Sequence, residues 1–388
     1  MYQTKPLLEQ LVFFIFGFSP KFMQKILFSL ALLYSLGAFS QSWKPVNGIK
    51  DVKNHYTAFT NATIHVKSGQ VLENATLLIK KDKIVTVGTS VEFPANTVEI
   101  NAQGKFIYPS FIDLHTQYGI EAAKNARSSR GQRPQLESKK EGIFYWNEAV
   151  KPEIKAADMV SPKQKEAEKF RKMGFGTVLT HQHDGILRGT SALVSLNEGD
   201  DFKFLQAESA AHYSFNKGSS KQTYPSSLMG MIALIRQVHF DAKWCIENKK
   251  TTEYNRSLEA IERAQGLPKI IETYGTLSQL RADKIGDEFG FQFILKGNGR
   301  EYERIQDIKA TNAALIVPIE FAKAYDVSDP FLTMQLPLSA MKAWELAPQN
   351  LSYLSNAKIE FAITTDGLKS EKEFYENKHA MPVEFVGH

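Results

Sequence analysis

The chain has 388 residues, 43% of them hydrophobic, enough to bury a large core in one big domain or two smaller ones. Its 47 basic and 42 acidic residues are interspersed and leave a formal charge of +5, with no stripe of Lys and Arg interleaved with aromatics, which argues against nucleic-acid binding. The one cysteine, Cys245, excludes an intrachain disulfide and a cysteine-rich zinc site but does not fix the compartment.

From Met23 the sequence MQKILFSLALLYSLGAFSQSW has the parts of an export signal. Lys25 gives a positive start, Ile26 to Phe39 an apolar stretch, and Ala38-Phe39-Ser40 a small-x-small site for cleavage before Gln41. The apolar stretch is shorter than the ~20 residues of a spanning helix. Residues 1–40 are therefore read as an upstream extension and signal peptide, with the true start at Met23. The expected location is exported, periplasmic or extracellular, with no stable membrane span after cleavage.

Residues 41–104 are expected to form a small β-layer. AFTNATIHV and ATLLIKKDKIVTVG read as strands, SGQVLEN as the turn between them, and VEFPANTVEINAQGK continues the pattern. The layer is too small to fold alone and needs a cover for its apolar face. From residue 105 to 388 the rhythm changes. KFIYPSFIDLH reads as a buried strand and AKNARSSRGQRPQLESKKEG as a mobile surface loop. SPKQKEAEKFRKMG reads as a helix, with Ser161 as N-cap, Pro162 in the first turn and Gly174 as its stop.

GTVLTHQH and TSALVSL follow as strands, then two helices over PSSLMGMIALIRQVHFDAKWCIENKK and TTEYNRSLEAIERAQ. PKIIETYG is a strand or a helix extension, and TLSQLRADKIGDEFG is a helix. FQFILKG, AALIVPIEF and KIEFAITTDG read as strands, separated by helices over REYERIQDIKAT and LSAMKAWELAPQNLSYLSN. Nearly all-apolar strands alternating with helices argue for a parallel sheet covered by helices, either a βα barrel or a doubly wound sheet. About seven candidate strands come close to a TIM barrel. No Gly-x-Gly-x-x-Gly follows the first strand, and neither a Gly-Lys-Ser/Thr loop nor a Gly-x-Ser-x-Gly occurs.

The β-layer running into GKFIYPSFIDLHTQYG resembles the opening of the amidohydrolase superfamily, best the imidazolonepropionase-like and related exported amidohydrolases. There a β-sandwich leads into a P-G-F-I-D-x-H-x-H strand. Pro109 and Phe111-Ile112-Asp113 match, and Ser110 replaces the glycine. The resemblance implies an α/β fold: a TIM-type βα barrel with a small, incomplete N-terminal β-sandwich layer. It also implies one or two divalent ions at the C-terminal mouth of the barrel, lowering the pKa of a bound water and polarising a carbon–nitrogen bond.

Carried over by residue, the resemblance puts His115 at the first histidine and Asp366 at the eighth-strand aspartate, as metal ligand and general base. Gln117 stands at the second histidine, where an amide is a poor replacement for imidazole. Lys296 and Pro318 stand at the fifth- and sixth-strand histidines, and Glu272 is a loose fit for the fourth-strand carboxylate. His181 and His183, spaced i, i+2, either join His115 and Asp366 in a displaced site or are rim residues satisfied by loop hydrogen bonds, and the sequence favours the rim. His212 and His239 read as surface or core histidines. Arg188 either grips an anion or pairs with a carboxylate.

The tail SEKEFYENKHAMPVEFVGH begins as a helix and loses its periodicity. The resemblance calls for strands after Asp366 that would complete the sandwich, so the expectation is a truncated, degenerate first unit of a larger protein. Two functional expectations follow. One is a hydrolase of carbon–nitrogen bonds in a small-molecule substrate, using a divalent metal, zinc first, if active. The other is a non-catalytic barrel, without a metal, that supports a downstream hydrolase unit.

Overall fold

The computed structural model describes residues 55–67, 69–81, 83–123, 133–197 and 204–381. The expected signal peptide and the end of the C-terminal tail lie outside these, as does most of the first half of the expected mobile loop. Two compact units divide the chain: Met1–Asn61 with Asn74–Gln103, and Ala62–Glu73 with Gly104–His388.

The β-layer is built from β1 (Tyr56–Lys67), β2 (Gln70–Lys80), β3 (Lys83–Gly88) and β4 (Val98–Asn101). β2 and β3 form an antiparallel hairpin, and Thr57–Thr60 of β1 run parallel to Val98–Asn101 of β4. The expected seven-residue turn shrinks, because β2 already begins at Gln70, just after Gly69 with its φ of +73°. One sheet forms here, and no second sheet makes it a sandwich among the described residues. Its outer apolar side chains are uncovered: Ile84 is 66% exposed, Val85 51% and Val98 47%.

The larger unit opens with β5 (Phe106–Ile107), paired with Thr63 and Ile64, and β6 (Phe111–Thr116). The one buried strand expected here breaks at Tyr108-Pro109-Ser110, since proline has no N–H for a ladder, and Phe106 and Tyr108 are exposed. The first shared helix of the unit, α1 (Gln164–Lys172), begins after the expected cap. Ser161 N–H donates to Gly119 O, so Ser161 still belongs to the loop, and Lys163 at the N-cap makes no side-chain bond. The described half of the expected mobile loop is tied down: Thr223 N–H donates to Gln135 O, and Gln135 Nε2 to Glu148.

β7 (Phe175–Thr180), β8 (Leu187–Thr190), β9 (Ala192–Ser195), β10 (Phe204–Gln206) and β11 (Ala211–Ser214) come next. Of these, β8, β10 and β11 were not expected. α2 (Leu228–Glu247), capped by Ser227, and α3 (Arg256–Arg263), capped by Asn255, precede β12 (Lys269–Glu272). PKIIETYG is thus a strand. α4 (Thr276–Phe289) ends at Gly290, whose φ is +74°. β13 (Phe293–Lys296), α5 (Ile305–Ala310), β14 (Leu315–Pro318), α6 (Pro330–Met334), α7 (Leu338–Leu346), α8 (Asn350–Asn356), β15 (Phe361–Thr364) and α9 (Glu371–Ala380) complete the described chain.

The strands form two sheets, ordered β10-β9-β7-β6 and β15-β14-β13-β12-β11-β8. β11 to β15 pair in parallel, as do β6 and β7, whereas β9 is antiparallel to β7 and β8 to β11. The fold is α/β. The strands do not close into a hydrogen-bonded ring among the described residues. β15 and β6 are joined instead through a side chain, Asp113, buried without exposure. It accepts from Thr364 Oγ1 (2.7 Å), Thr365 N (2.8 Å), Thr365 Oγ1 (2.6 Å) and His115 N (3.0 Å).

KIIE, FILK and LIVP carry apolar side chains on successive positions because both of their faces are covered. Successive side chains alternate. Ile271, Leu295 and Val317 enter the large core, while Ile270 and Ile316, with Ile294 against them, form a smaller inner cluster. Two residues further along that inner face come Glu272, Lys296 and Pro318. The alternation therefore delivers those side chains to the strand ends on the inner side.

Candidate functional site

Four histidines meet at the ends of the strands. His115 is the last residue but one of β6, His181 follows β7 with its N–H on Thr116 O, His183 lies two residues beyond, and His212 sits in β11. His181 and His212 stack with ring centroids 3.6 Å apart. His115 lies 4.8 Å from His181 and 4.5 Å from His183 by the same measure. His115, His181 and His212 are buried, each exposing 2% or less.

Both ring nitrogens of His115 and of His181, and Nε2 of His183 and His212, are buried without a hydrogen-bond partner. Burial holds the His115, His181 and His212 imidazoles well below their usual pKa, and neighbouring histidines and Arg188 add to the effect. His183 is lowered to about 4, by burial first and Arg188 second, against the opposing pull of Asp366 and Glu272. At neutral pH these rings are uncharged and keep free lone pairs.

One ligand atom each from His115, His181 and His212 lies within 4.8 Å of the others, and the same holds for His115, His183 and Asp366. The three-imidazole set fits a borderline ion such as zinc: its ligands are neutral nitrogen donors, buried, and short of partners. Each orphaned nitrogen costs ~1–3 kcal/mol, a cost that a bound ion would remove. The second set fits less well. Lys296 Nζ lies 2.6 Å from Asp366 Oδ2, so that carboxylate already has a cation.

Behind the histidines lies a charged row. Glu272 Oε2 pairs with Arg188 Nη1 at 2.6 Å, Glu272 Oε1 is 3.9 Å from Lys296 Nζ, and Ser214 Oγ donates to Glu272 at 3.3 Å. The strand register explains the row, since Ser214, Glu272 and Lys296 are successive neighbours across β11, β12 and β13. Arg188 thus takes the carboxylate-pairing reading of its sequence.

His115 and Asp366 come together as expected, with Nε2 and Oδ2 4.0 Å apart. His181 and His183 join them; they are not rim residues satisfied by loop hydrogen bonds. Gln117, His115, His183 and Asp366 line a cavity of about 380 Å³, bordered by Lys169 and Lys369. Glu272 faces the site but is engaged by Arg188. Pro318 ends β14 and brings no ligating atom. His212 is the residue that sequence reading missed. The other histidines of the cluster lie 29 or more positions away, and AAHYSF carries no strand pattern strong enough to place it.

No family model and no curated protein matches the sequence. Among solved structures, the chain is similar to an amidohydrolase from Thermotoga maritima MSB8, with a TM-score of 0.64 and 19% identity over 84% of each chain. A β-aspartyl dipeptidase from Fervidobacterium islandicum AW-1 aligns with a TM-score of 0.35 and 11% identity, over 81% of this chain and 73% of that one. At this identity the first likeness establishes the fold, and the second is too loose to carry an argument.

Proposed function

We propose that this chain, which has the fold of an amidohydrolase, is a metal-dependent hydrolase of carbon–nitrogen bonds in small amides or short peptides. The reading rests on one observation above all: three buried, uncharged histidines whose ring nitrogens converge without partners. His115, His181 and His212 would hold the ion. The ion would supply a Lewis acid and a bound water of lowered pKa.

The chain's own residues supply the rest. Asp366, 31% exposed and bordering the cavity, is placed to take a proton from water entering there. Lys296 holds that carboxylate in position through their ion pair. Arg188 and Glu272 neutralise each other beneath the histidines, so the site stays compact without adding free charge. The TIM-type barrel, zinc as the ion and export by the signal-like segment after Met23 belong to the same proposal.

The Lys296–Asp366 pair favours a second reading, a barrel without catalysis that supports a partner hydrolase unit, because it replaces a metal ligand's partner with an ammonium. Metal analysis of the purified chain separates the two. The first reading expects near-stoichiometric zinc, manganese or iron, lost in His115→Ala together with hydrolysis of dipeptides or cyclic amides. A chain that takes up no metal and hydrolyses neither would overturn it.

A further inference from the structure

A second cavity, of about 360 Å³, lies on the other side of β11, between the strands and helices α2, α3 and α4. His212 and Tyr213 are adjacent on β11 and alternate in direction. His212 enters the histidine site, whereas Tyr213 lines this second cavity. Its walls are aromatic. The His239 ring lies 4.9 Å from Phe289, 5.4 Å from Phe291 and 5.9 Å from Tyr213, centroid to centroid.

The polar groups of this cavity are unbalanced. Lys269, only 9% exposed, donates to Gln265 O at 2.9 Å and Leu267 O at 3.2 Å, with its ammonium 4.8 Å from the centre of the Phe291 ring. No carboxylate pairs with it among the described residues. An ammonium has three donors, and a buried one without a counter-charge is costly. Burial accordingly lowers the Lys269 pKa. His239 Nε2 is also buried and unpartnered. Lys243 stands exposed at the rim, and Glu247, likewise exposed, is the one carboxylate there.

We propose that this cavity is a binding site for a small aromatic carboxylate. The ring of such a ligand packs against Phe289, Phe291 and Tyr213, where aromatic pairs gain energy beyond area burial. Its carboxylate meets the remaining donor of Lys269, forming the charge-assisted bond that Lys269 lacks within the chain. Lys243 draws the anion to the mouth, and Glu247 disfavours multiply charged anions. The shape suits one ring and a short acid arm: the volume falls at the low end of the range for small-molecule sites, ~300–1,000 Å³.

The test is titration of the full chain with sodium phenylacetate by calorimetry and ligand-observed NMR, with benzyl alcohol and benzylamine as matched neutral and cationic probes. Phenylacetate is expected to bind saturably, one per chain, and about tenfold more tightly than benzyl alcohol. Lys269→Met should weaken it about tenfold and the exposed Lys243→Glu about threefold, while His115→Ala leaves it unchanged. If Lys269→Met does not fold, Lys243→Glu decides. Absence of saturable phenylacetate binding would overturn the site. Equal binding of all three probes, or indifference to Lys243→Glu, would do so too. Loss in His115→Ala would assign the carboxylate to the histidine centre instead.

Discussion

Lys296 Nζ lies 2.6 Å from Asp366 Oδ2, so the carboxylate that sequence reading assigns to an ion carries an ammonium in its place. The pair is only half closed to water, with the Asp366 side chain 31% exposed. Replacing Lys296 with Met frees Asp366 without orphaning Glu272, which keeps Arg188. Zinc affinity, measured by competition with a chelator, is expected to rise about tenfold in Lys296→Met as the local positive charge is removed. Unchanged affinity would show that Asp366 stays outside the metal's reach.

The histidines should trade stability for binding. In chelator-treated protein, His181→Leu removes two buried nitrogens that have no partner and His212→Leu removes one, Nε2, each leaving an apolar side chain of similar bulk. Each variant is expected to match the parent or exceed it by about 1 kcal/mol in urea unfolding, while losing metal uptake. A large loss of stability in the metal-free state would mean that the imidazoles serve the fold.

Asp113 is the side chain that ties β6 to β15. Asp113→Ala leaves the Thr365 hydroxyl and the Thr365 and His115 N–H groups short of a buried acceptor, while the Thr364 hydroxyl keeps His115 O at 3.1 Å. A loss of about 3 kcal/mol is expected, read from the urea midpoint. Asp113→Asn, which keeps one acceptor oxygen, should lose less.

Acid should destabilise the protein through its buried histidines. Burial first, and Lys269 second, lower His239 from 6.5 to about 4. Between those values the unfolded chain binds a proton that the folded one refuses, so the contribution is complete above pH 6.5 and is lost as pH falls toward 4. His183, lowered to about 4, has the same sign. Unfolding free energy measured across this window should fall with pH, and less steeply in His239→Gln. An identical slope in that variant would exclude His239 from the effect.

Gly189, beside Arg188 in β8, has a φ of +82°, and a Cβ there would lie 1.9 Å from Ile154 O. Backbone meets backbone, so neither group can swing away. Gly189→Ala is expected to destabilise the chain by about 3 kcal/mol, with the melting temperature as readout.

Much of the fold was legible because its local signals agree with its tertiary role. FILK and LIVP read as doubly covered strands, and Gly174 marked a helix end. The signals failed where a neighbour overrode them. Pro109 split an apolar run into β5 and β6, and Gly119 O kept Ser161 out of its helix. β8 and β11 are four-residue strands whose pairing partners, not their composition, make them strands.

The sequence by itself determined the alternation of apolar strands with helices in the larger unit, the His115 strand and the Asp366 strand. It also determined what Gln117 and Pro318 cannot do, because an amide ligates poorly and proline has no ligating side chain. Only the tertiary structure decided which histidines meet. His181, just after β7, and His212, in β11, are linked by no local pattern, and their rings reach 3.6 Å because the packing of β7 and β11 brings them to the same place. Periodicity fixes the face of a strand on which a residue lies. Which faces converge depends on how strands far apart in the chain pack together.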